Sequence, residues 1–360
     1  SHSYPFCYRC GTALFYNALP AYFINIQKIK KDLSIANESI NWYPSFLKNG
    51  RFGKGLETAP DWNISRSRYW GTPMPIWKGD KTGQLRVISS VQELTKWAVD
   101  PELAEGLVDI HREYVDDLKV WVDDERTEEG TRIKDVFDCW IESGSMPYAS
   151  VHYPFEHKEV FESRYPAQYI VEYIAQTRAW FYTLHVMSVA LFGKPAFENA
   201  VTTGTILAED GTKMSKSKKN YPDVNVLIGK FGVDSLRLYL MSSVVMKADN
   251  LNFSESAVDD VRKNVMNIWW NIFVYYQTYC DKVELDSPVE PKHPLDRWLL
   301  SKLESLTELV TKSMDNYDVV GATRPLMAFA KEFSTWYVRL SRERLRDDKS
   351  SQAVFGYALS

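Results

Sequence analysis

The chain has 360 residues, 45% of them hydrophobic and 25% charged, with a net charge of -4 at neutral pH. That is enough apolar material for two domains, or for one large domain with an appendage. The slightly acidic balance argues against a general polyanion-coating protein, so any nucleic-acid contact must come from local basic patches.

Aromatic residues reach 14%, including 12 Trp and 21 Tyr, enough to line pockets as well as fill core. Four cysteines (Cys7, Cys10, Cys139 and Cys280) are too few and too scattered for a disulfide framework. They point to a reducing compartment and hence to the cytoplasm. No apolar run has the length that a membrane span needs. The first ten residues, SHSYPFCYRC, lack Met and lack the charged-then-apolar pattern of a signal peptide, and they read as the opening of a fragment.

Residues 1–20 read as short and irregular. A helix is predicted over about 21–37, where Phe23, Ile24, Ile26 and Ile29 mix with lysines, and Trp42-Tyr43-Pro44 interrupts the pattern beyond it. Asp61–Trp77 reads as a loop followed by a strand over Pro73–Trp77, and alternate prolines demote that strand to an edge. Residues 78–134 turn rich in Asp, Glu, Lys and Gly and read as an insertion, with a small helix near Val91–Trp97 and an acidic loop over Val122–Glu129.

Order resumes at Asp135. Tyr169-Ile170-Val171 fits a buried strand, Gln176–Phe192 a helix apolar over most of its surface, and Ala200–Leu207 a second, β-branched strand. Strand, helix, strand at that spacing is a parallel βαβ unit, and so an α/β fold. From about Phe253 to the end the pattern is helical. Leu299, Leu303, Leu306 and Val310 form one stripe, and Leu326, Ala330, Phe333, Tyr337 and Leu340 another, with Pro288, Pro291 and Pro294 marking a connection.

Lys213-Met214-Ser215-Lys216-Ser217 follows the second strand, just after an Asp210-Gly211 turn signal, and Lys218 and Lys219 come next. Two cations flanking small hydroxyl residues on a polar, mobile loop suit a phosphate chain that gains charge as it leaves. Ligands of open parallel sheets bind at this carboxyl end. A solvated basic loop is the competing reading, and the preferred one for Lys218 and Lys219. Cys7-Tyr8-Arg9-Cys10 supplies only two of the four ligands of a tetrahedral zinc site. His185, inside an apolar helix, reads as a satisfied core histidine.

Taken together these segments resemble the isoleucyl branch of the class I aminoacyl-tRNA synthetases. KMSKS at 213–217 is similar to the second signature of that class. Asp61–Gly71, DWNISRSRYWG, resembles a D-W-x-I-S-R-x-R-Y-W-G block, and Phe137–Ser145, FDCWIESGS, a block usually ending W-F-D-S-G-S. Glu172–Trp180, EYIAQTRAW, resembles E-G-x-D-Q-x-R-G-W, and Trp336–Arg339 the W-Y-V-R of a helical anticodon-binding domain. Departures are Tyr173 and Ala175 in place of Gly and Asp, and Ala179 in place of Gly, where an added methyl crowds the substrate side. The first class signature, H-x-G-H, is absent among the six histidines.

The resemblance implies the later part of a synthetase core, a partial Rossmann-like parallel sheet followed by a helical bundle. The implied division is 1–12, the remnant of an editing insertion; 13–77, catalytic; 78–134, a small insertion; 135–252, catalytic with the KMSKS loop; and 253–360, the beginning of the anticodon-binding domain. The implied reaction joins isoleucine to ATP, carried with Mg2+, and passes the acyl group to tRNA(Ile). By resemblance Lys213 and Lys216 steady the leaving pyrophosphate. Glu172, Gln176, Gly204, Met214, Ser215 and Ser217 join Lys216 around the adenylate. Trp140, Gln176 and Trp180 form the isoleucine pocket, where a branched aliphatic side chain needs flat apolar walls.

Arg339, Arg342 and Arg346 recur at helical spacing and suit an RNA backbone or, equally, a salt-bridged face. Arg66 and Arg68 suit phosphate, the tRNA end or pairing with a carboxylate. By the same resemblance Cys7 and Cys10 are expected to be half of a zinc site whose other half lies upstream, unfilled or adventitiously metallated. The missing signature makes the rest of a synthetase, an amino-terminal half, an implied partner. The alternatives are a non-catalytic tRNA-binding or assembly piece, and a valine or leucine enzyme, against which Trp140-Ile141-Glu142-Ser143-Gly144 argues.

Overall fold

The computed structural model describes residues 4–7, 10–15, 17–215, 218–280 and 290–360. The chain divides into two compact units. One comprises Ser1–Glu38, Lys54–Tyr165 and Arg178–Ala196, and the other Ser39–Gly53, Pro166–Thr177 and Phe197–Ser360. No helix among the described residues is long and apolar enough to cross a membrane.

In the first unit a helix runs over Ile26–Glu38, shorter at its start than the sequence pattern predicts, because Phe23–Ile24 pairs antiparallel with Trp62–Asn63 instead. Its Leu33 carbonyl accepts a 2.8 Å hydrogen bond from the Nε2 of His185, which lies fully buried in the helix Trp180–Phe192. That second helix begins later than predicted. Ile174–Arg178 forms a 3-10 turn, and Ala179, at φ -137° and ψ -107°, breaks the helical path. Periodicity alone cannot distinguish a 3-10 turn from the first turn of a helix.

The acidic insertion is more ordered than its composition suggests. Its helix is Val91–Trp97 as predicted, where the Ser90 hydroxyl accepts from the Glu93 amide and the Glu93 carboxylate reaches back to Ser89. Around it stands a four-stranded antiparallel sheet in the order Leu85–Val87, Ile76–Gly79, Glu129–Arg132, Val120–Trp121. The proline-flanked strand is therefore interior rather than an edge. The prolines precede it, so Ile76–Gly79 keeps its amides for pairing on both sides. Trp77 is buried in this small core, and its indole N–H donates to the Leu118 carbonyl at 2.8 Å.

The second unit contains a parallel sheet in the order Ala167–Tyr173, Phe197–Thr203, Asn41–Tyr43. Asn41–Tyr43, which reads from sequence as an interruption, is thus a strand that buries Trp42 against Phe52 and Phe197. The central strand stops at Thr203, earlier than predicted. Ile206–Leu207 then pairs with Leu251–Asn252 in a separate two-stranded ladder.

From Glu255 onward the described residues are largely helical. Pro294 opens the helix Pro294–Asp315, and Pro288 lies outside the described residues. Leu299, Phe333 and Tyr337 lie in the helical core, with Leu303 and Leu306 packed against it. Leu326 and Leu340, placed by their spacing in the second stripe, are exposed. Asp296, wholly buried, accepts hydrogen bonds from Tyr337, Arg344 and Ser351. The architecture is α/β with a parallel sheet and a helical carboxyl-terminal region.

Burial pushes the His185 pKa down to about 4, far below the ordinary 6.5. An unfolded chain takes up that proton below pH 6.5, whereas the folded one resists until about 4. The stabilisation is therefore complete above pH 6.5 and lost as the pH falls toward 4, on the order of 3 kcal/mol in all. Denaturant unfolding from pH 7.5 to 4.5 checks this. Replacing His185 by Gln should flatten that part of the profile, and an unchanged profile would contradict the assignment.

Candidate functional site

The sequence-predicted site residues fall in both units, and each group is built by its own unit. In the first, Val136–Phe137 pairs antiparallel with Ser65–Arg66 and delivers the chain into the helix Cys139–Ala149. Asp138 sits at the helix start, almost fully buried. One of its oxygens, Oδ2, accepts from the Trp62 indole at 3.1 Å and from the Arg66 guanidinium at 2.8 Å. The other, Oδ1, accepts the Trp140 amide at 3.4 Å and so caps the helix. One turn on, the Glu142 carboxylate accepts from the Thr72 amide at 3.2 Å and from its hydroxyl.

Trp140 and Trp180 lie on helices that pack together. At Gly144 a side chain would come within 3.3 Å of the Thr183 backbone, so glycine permits the approach. Trp180 donates its indole N–H to the Ser143 carbonyl at 3.0 Å. Both indoles are half-buried. Their walls are flat and apolar, and the Trp180 indole N–H is directed at the backbone.

In the second unit Glu172 pairs in register with Thr202, so the two strands run out at the same edge. Glu172 is half-buried, and its Oε2 accepts from the Tyr173 amide at 3.1 Å. Gln176 follows on the 3-10 turn. Gly204 comes just past the central strand. A side chain there would collide with the Asp249 backbone, whose carbonyl oxygen lies 1.8 Å from the Cβ position. The close approach that a glycine permits at this point is thus made at least by protein.

The lysine segment leaves Leu207 as a hairpin. Leu207 bridges Lys213, the Ala208 amide donates to Thr212 at 2.9 Å, and Gly211 takes φ +78° in the turn. The Thr212 amide and hydroxyl bond to Asp210 and hold its carboxyl below the usual range, so it stays ionised beside the turn. Met214 packs against the core of Leu227, Phe231 and Leu236, while Lys213, Lys218 and Lys219 are exposed. Lys216 and Ser217 lie outside the described residues.

Asn220 closes the segment. Its Oδ1 accepts the Ser215 amide at 2.9 Å, and its Nδ2 donates to the Thr212 hydroxyl at 3.0 Å and the Lys213 carbonyl at 3.2 Å. Sequence reasoning missed both Asn220 and Asp138. An amide side chain just past a lysine run, and an aspartate just ahead of a helix, were the available signals. Thr202 was missed as well. Its buried hydroxyl has no partner among the described residues, and β-branched strand residues carry no signal for that.

Arg339, Arg342 and Arg346 are all exposed, and none forms an ion pair among the described residues. Arg346 instead lies over the Tyr279 ring at 5.0 Å, while the internal ion pair of this region belongs to Arg344. Arg66 pairs with Asp138. Cys7 and Cys10 share one turn, closed by the Gly11 amide on the Cys7 carbonyl. The Thr12 hydroxyl brings the Cys10 thiol down to about 7. No group of three or more metal-ligating side chains occurs among the described residues.

Residues 13–252 match the family described as tRNA synthetases class I (I, L, M and V), and residues 296–360 the anticodon-binding domain of tRNA ligase. The isoleucine–tRNA ligase of Chlamydia trachomatis serovar D is 45% identical over 354 residues, covering 97% of this chain and 33% of that protein. That of Treponema denticola is 44% identical over 375 residues, covering 98% and 33%. The chain therefore spans about a third of the length of these relatives. Among solved structures, methionyl-tRNA synthetase of Mycobacterium tuberculosis with methionyl-adenylate superposes with a TM-score of 0.64 at 18% identity, covering 99% of this chain and 60% of that one. At that identity the likeness shows the fold alone.

Replacing Asn220 by Ala removes three bonds that tie the lysine hairpin, each worth about 1 kcal/mol. Amide exchange over 212–220 should quicken roughly tenfold or more, while the helix Pro294–Asp315 keeps its protection. Equal protection of the hairpin in both proteins would show that Asn220 does not hold it.

Proposed function

The chain belongs to the class I tRNA synthetases of the I, L, M and V group, and we propose that it carries part of the active site of an isoleucine–tRNA ligase. The observation that supports this most is the KMSKS motif, whose Lys213 bridges Leu207 in a hairpin just beyond the carboxyl end of a parallel sheet. The isoleucine–tRNA ligases that match along nearly the whole chain supply the amino acid.

In this reading the isoleucine carboxylate attacks the α-phosphorus of ATP, which arrives with Mg2+, and pyrophosphate leaves. No covalent bond to the enzyme forms. Catalysis is placement together with stabilisation of the charge that gathers on the leaving group. Lys213 and Lys216 supply that stabilisation, with Met214, Ser215 and Ser217 shaping the loop. Glu172, Gln176 and Gly204, at or just past the strand ends, hold the adenylate. Trp140 and Trp180 give the isoleucine side chain its apolar walls, and Gln176 bonds the polar end of the amino acid. The acyl group then passes to tRNA(Ile), whose backbone meets the exposed Arg339, Arg342 and Arg346. The reaction belongs in the cytoplasm, where four cysteines that form no disulfide are at home.

A second reading has a specific observation behind it. The chain holds no H-x-G-H and spans about a third of its relatives. By itself it is then a binding or assembly piece that becomes catalytic only when joined to an amino-terminal half.

Isoleucine-dependent exchange of pyrophosphate into ATP tests both. A full-length protein carrying this chain should catalyse it, and residues 1–360 alone should show little or none. In the full-length protein Lys213→Ala and Lys216→Ala should each lower the exchange rate by roughly 100-fold, with the isoleucine KM within about twofold. Unchanged rates would remove the lysines from this role, and strong exchange by 1–360 alone would remove the need for a partner half.

A further inference from the structure

Arg66 lies in the DWNISRSRYWG block, for which the sequence left phosphate, the tRNA end and carboxylate pairing all open. From the geometry we propose that Arg66 and Trp62, acting through the Asp138 carboxylate, are the positioning residues that set the Trp140 indole in the amino-acid pocket. The inference rests on the functional reading above and extends it to residues that touch no substrate.

The chain of contacts is short. Ser65–Arg66 and Val136–Phe137 are paired strands, so the block lies alongside the segment that leads into the Trp140 helix. The Asp138 amide donates to the Ile64 carbonyl at 2.8 Å and continues that pairing by one residue. The carboxylate then divides its two oxygens. Oδ2 takes the Arg66 guanidinium at 2.8 Å and the Trp62 indole N–H at 3.1 Å. Oδ1 accepts from the Trp140 amide at 3.4 Å and from the Cys139 thiol at 3.7 Å.

Asp138 is 5% exposed, and a carboxylate so placed persists only where charge and donors meet it. Without the guanidinium the carboxylate loses its charged partner and turns toward water, and the oxygen that caps Trp140 leaves its place. The indole of Trp140, two residues beyond the capping aspartate, is then free to shift, and a misplacement of about 1 Å in a pocket wall is costly. Lys at 66 keeps the charge but loses the fork, so it restores the arrangement only partly.

The test uses a full-length protein carrying the chain, with Arg66→Gln, Arg66→Lys and wild type compared by amino-acid-dependent pyrophosphate exchange. The expected result is an isoleucine KM raised roughly tenfold or more in Arg66→Gln and partly recovered in Arg66→Lys, with the ATP KM within about twofold. A raised KM for ATP or tRNA with an unmoved isoleucine KM would overturn the proposal, since Arg66 would then serve phosphate or RNA. A loss of stability with both KM values unchanged would overturn it too. A wild type without exchange for any amino acid would sink the functional reading, and a second readout covers that case. Amide exchange over Cys139–Ser143 should quicken in Arg66→Gln whatever the activity, and equal protection in the two proteins would end the positioning role.

Discussion

Parallel pairing of Ala167–Tyr173 with Phe197–Thr203 is the constraint from which the placement of Glu172, Gln176 and Gly204 follows. Two parallel strands must be joined by a long crossover, and they run out at the same edge. Glu172, the Gln176 turn and Gly204 are therefore gathered at or just beyond one edge by register alone. Gly204 completes the arrangement, since only a residue without a side chain lets the Asp249 backbone pass. The Leu251–Asn252 strand next to Asp249 then pairs with Ile206–Leu207, from which the lysine hairpin springs. A three-residue strand, Asn41–Tyr43, is held in this sheet chiefly by the burial of one tryptophan.

Charge burial is handled in the same manner in both units. Asp138 and Asp296 are both removed from water, and each is surrounded by donors, an arginine among them. Such pairs contribute little net stability over apolar replacements, but losing one partner is expensive. They fix geometry more than they add energy. Asp138 fixes the start of the helix that carries Trp140, whereas Asp296 ties the Pro294–Asp315 helix to Tyr337, Arg344 and Ser351. The exposed Arg339, Arg342 and Arg346 are not consumed by such pairs among the described residues, which leaves their charge available to a polyanion.

Much of the fold was legible because its signals are local. Val91–Trp97 carries its own capping residues at both ends of a Ser-x-x-Glu, and the parallel strands carry β-branched runs. The misreadings were equally physical. Prolines ahead of Ile76–Gly79 pointed to an edge strand but stand outside the ladder. Three-residue strands are too short to show a period, and a 3-10 turn imitates the start of a helix. The lysine motif fell on a hairpin, and of the two helices that carry Trp140 and Trp180 only the second was read from the sequence. Asn220 was not revealed as a tie, because bonds from a side chain to nearby backbone leave no spacing to read, whereas for Arg66 carboxylate pairing stood beside phosphate and the tRNA end, and the structure pairs it with Asp138. The proposed role of the lysine hairpin makes one demand, that ATP and isoleucine together cover it.

Lysine labelling tests that demand most directly. A full-length protein carrying this chain is treated with an amine-specific reagent, with and without ATP and isoleucine, and modification is read by mass spectrometry. The account predicts that Lys213 and Lys216 lose reactivity when both substrates are present, whereas the exposed Lys349, on the helix Lys349–Leu359, is unaffected. Equal labelling of Lys213 and Lys216 in both conditions would contradict it.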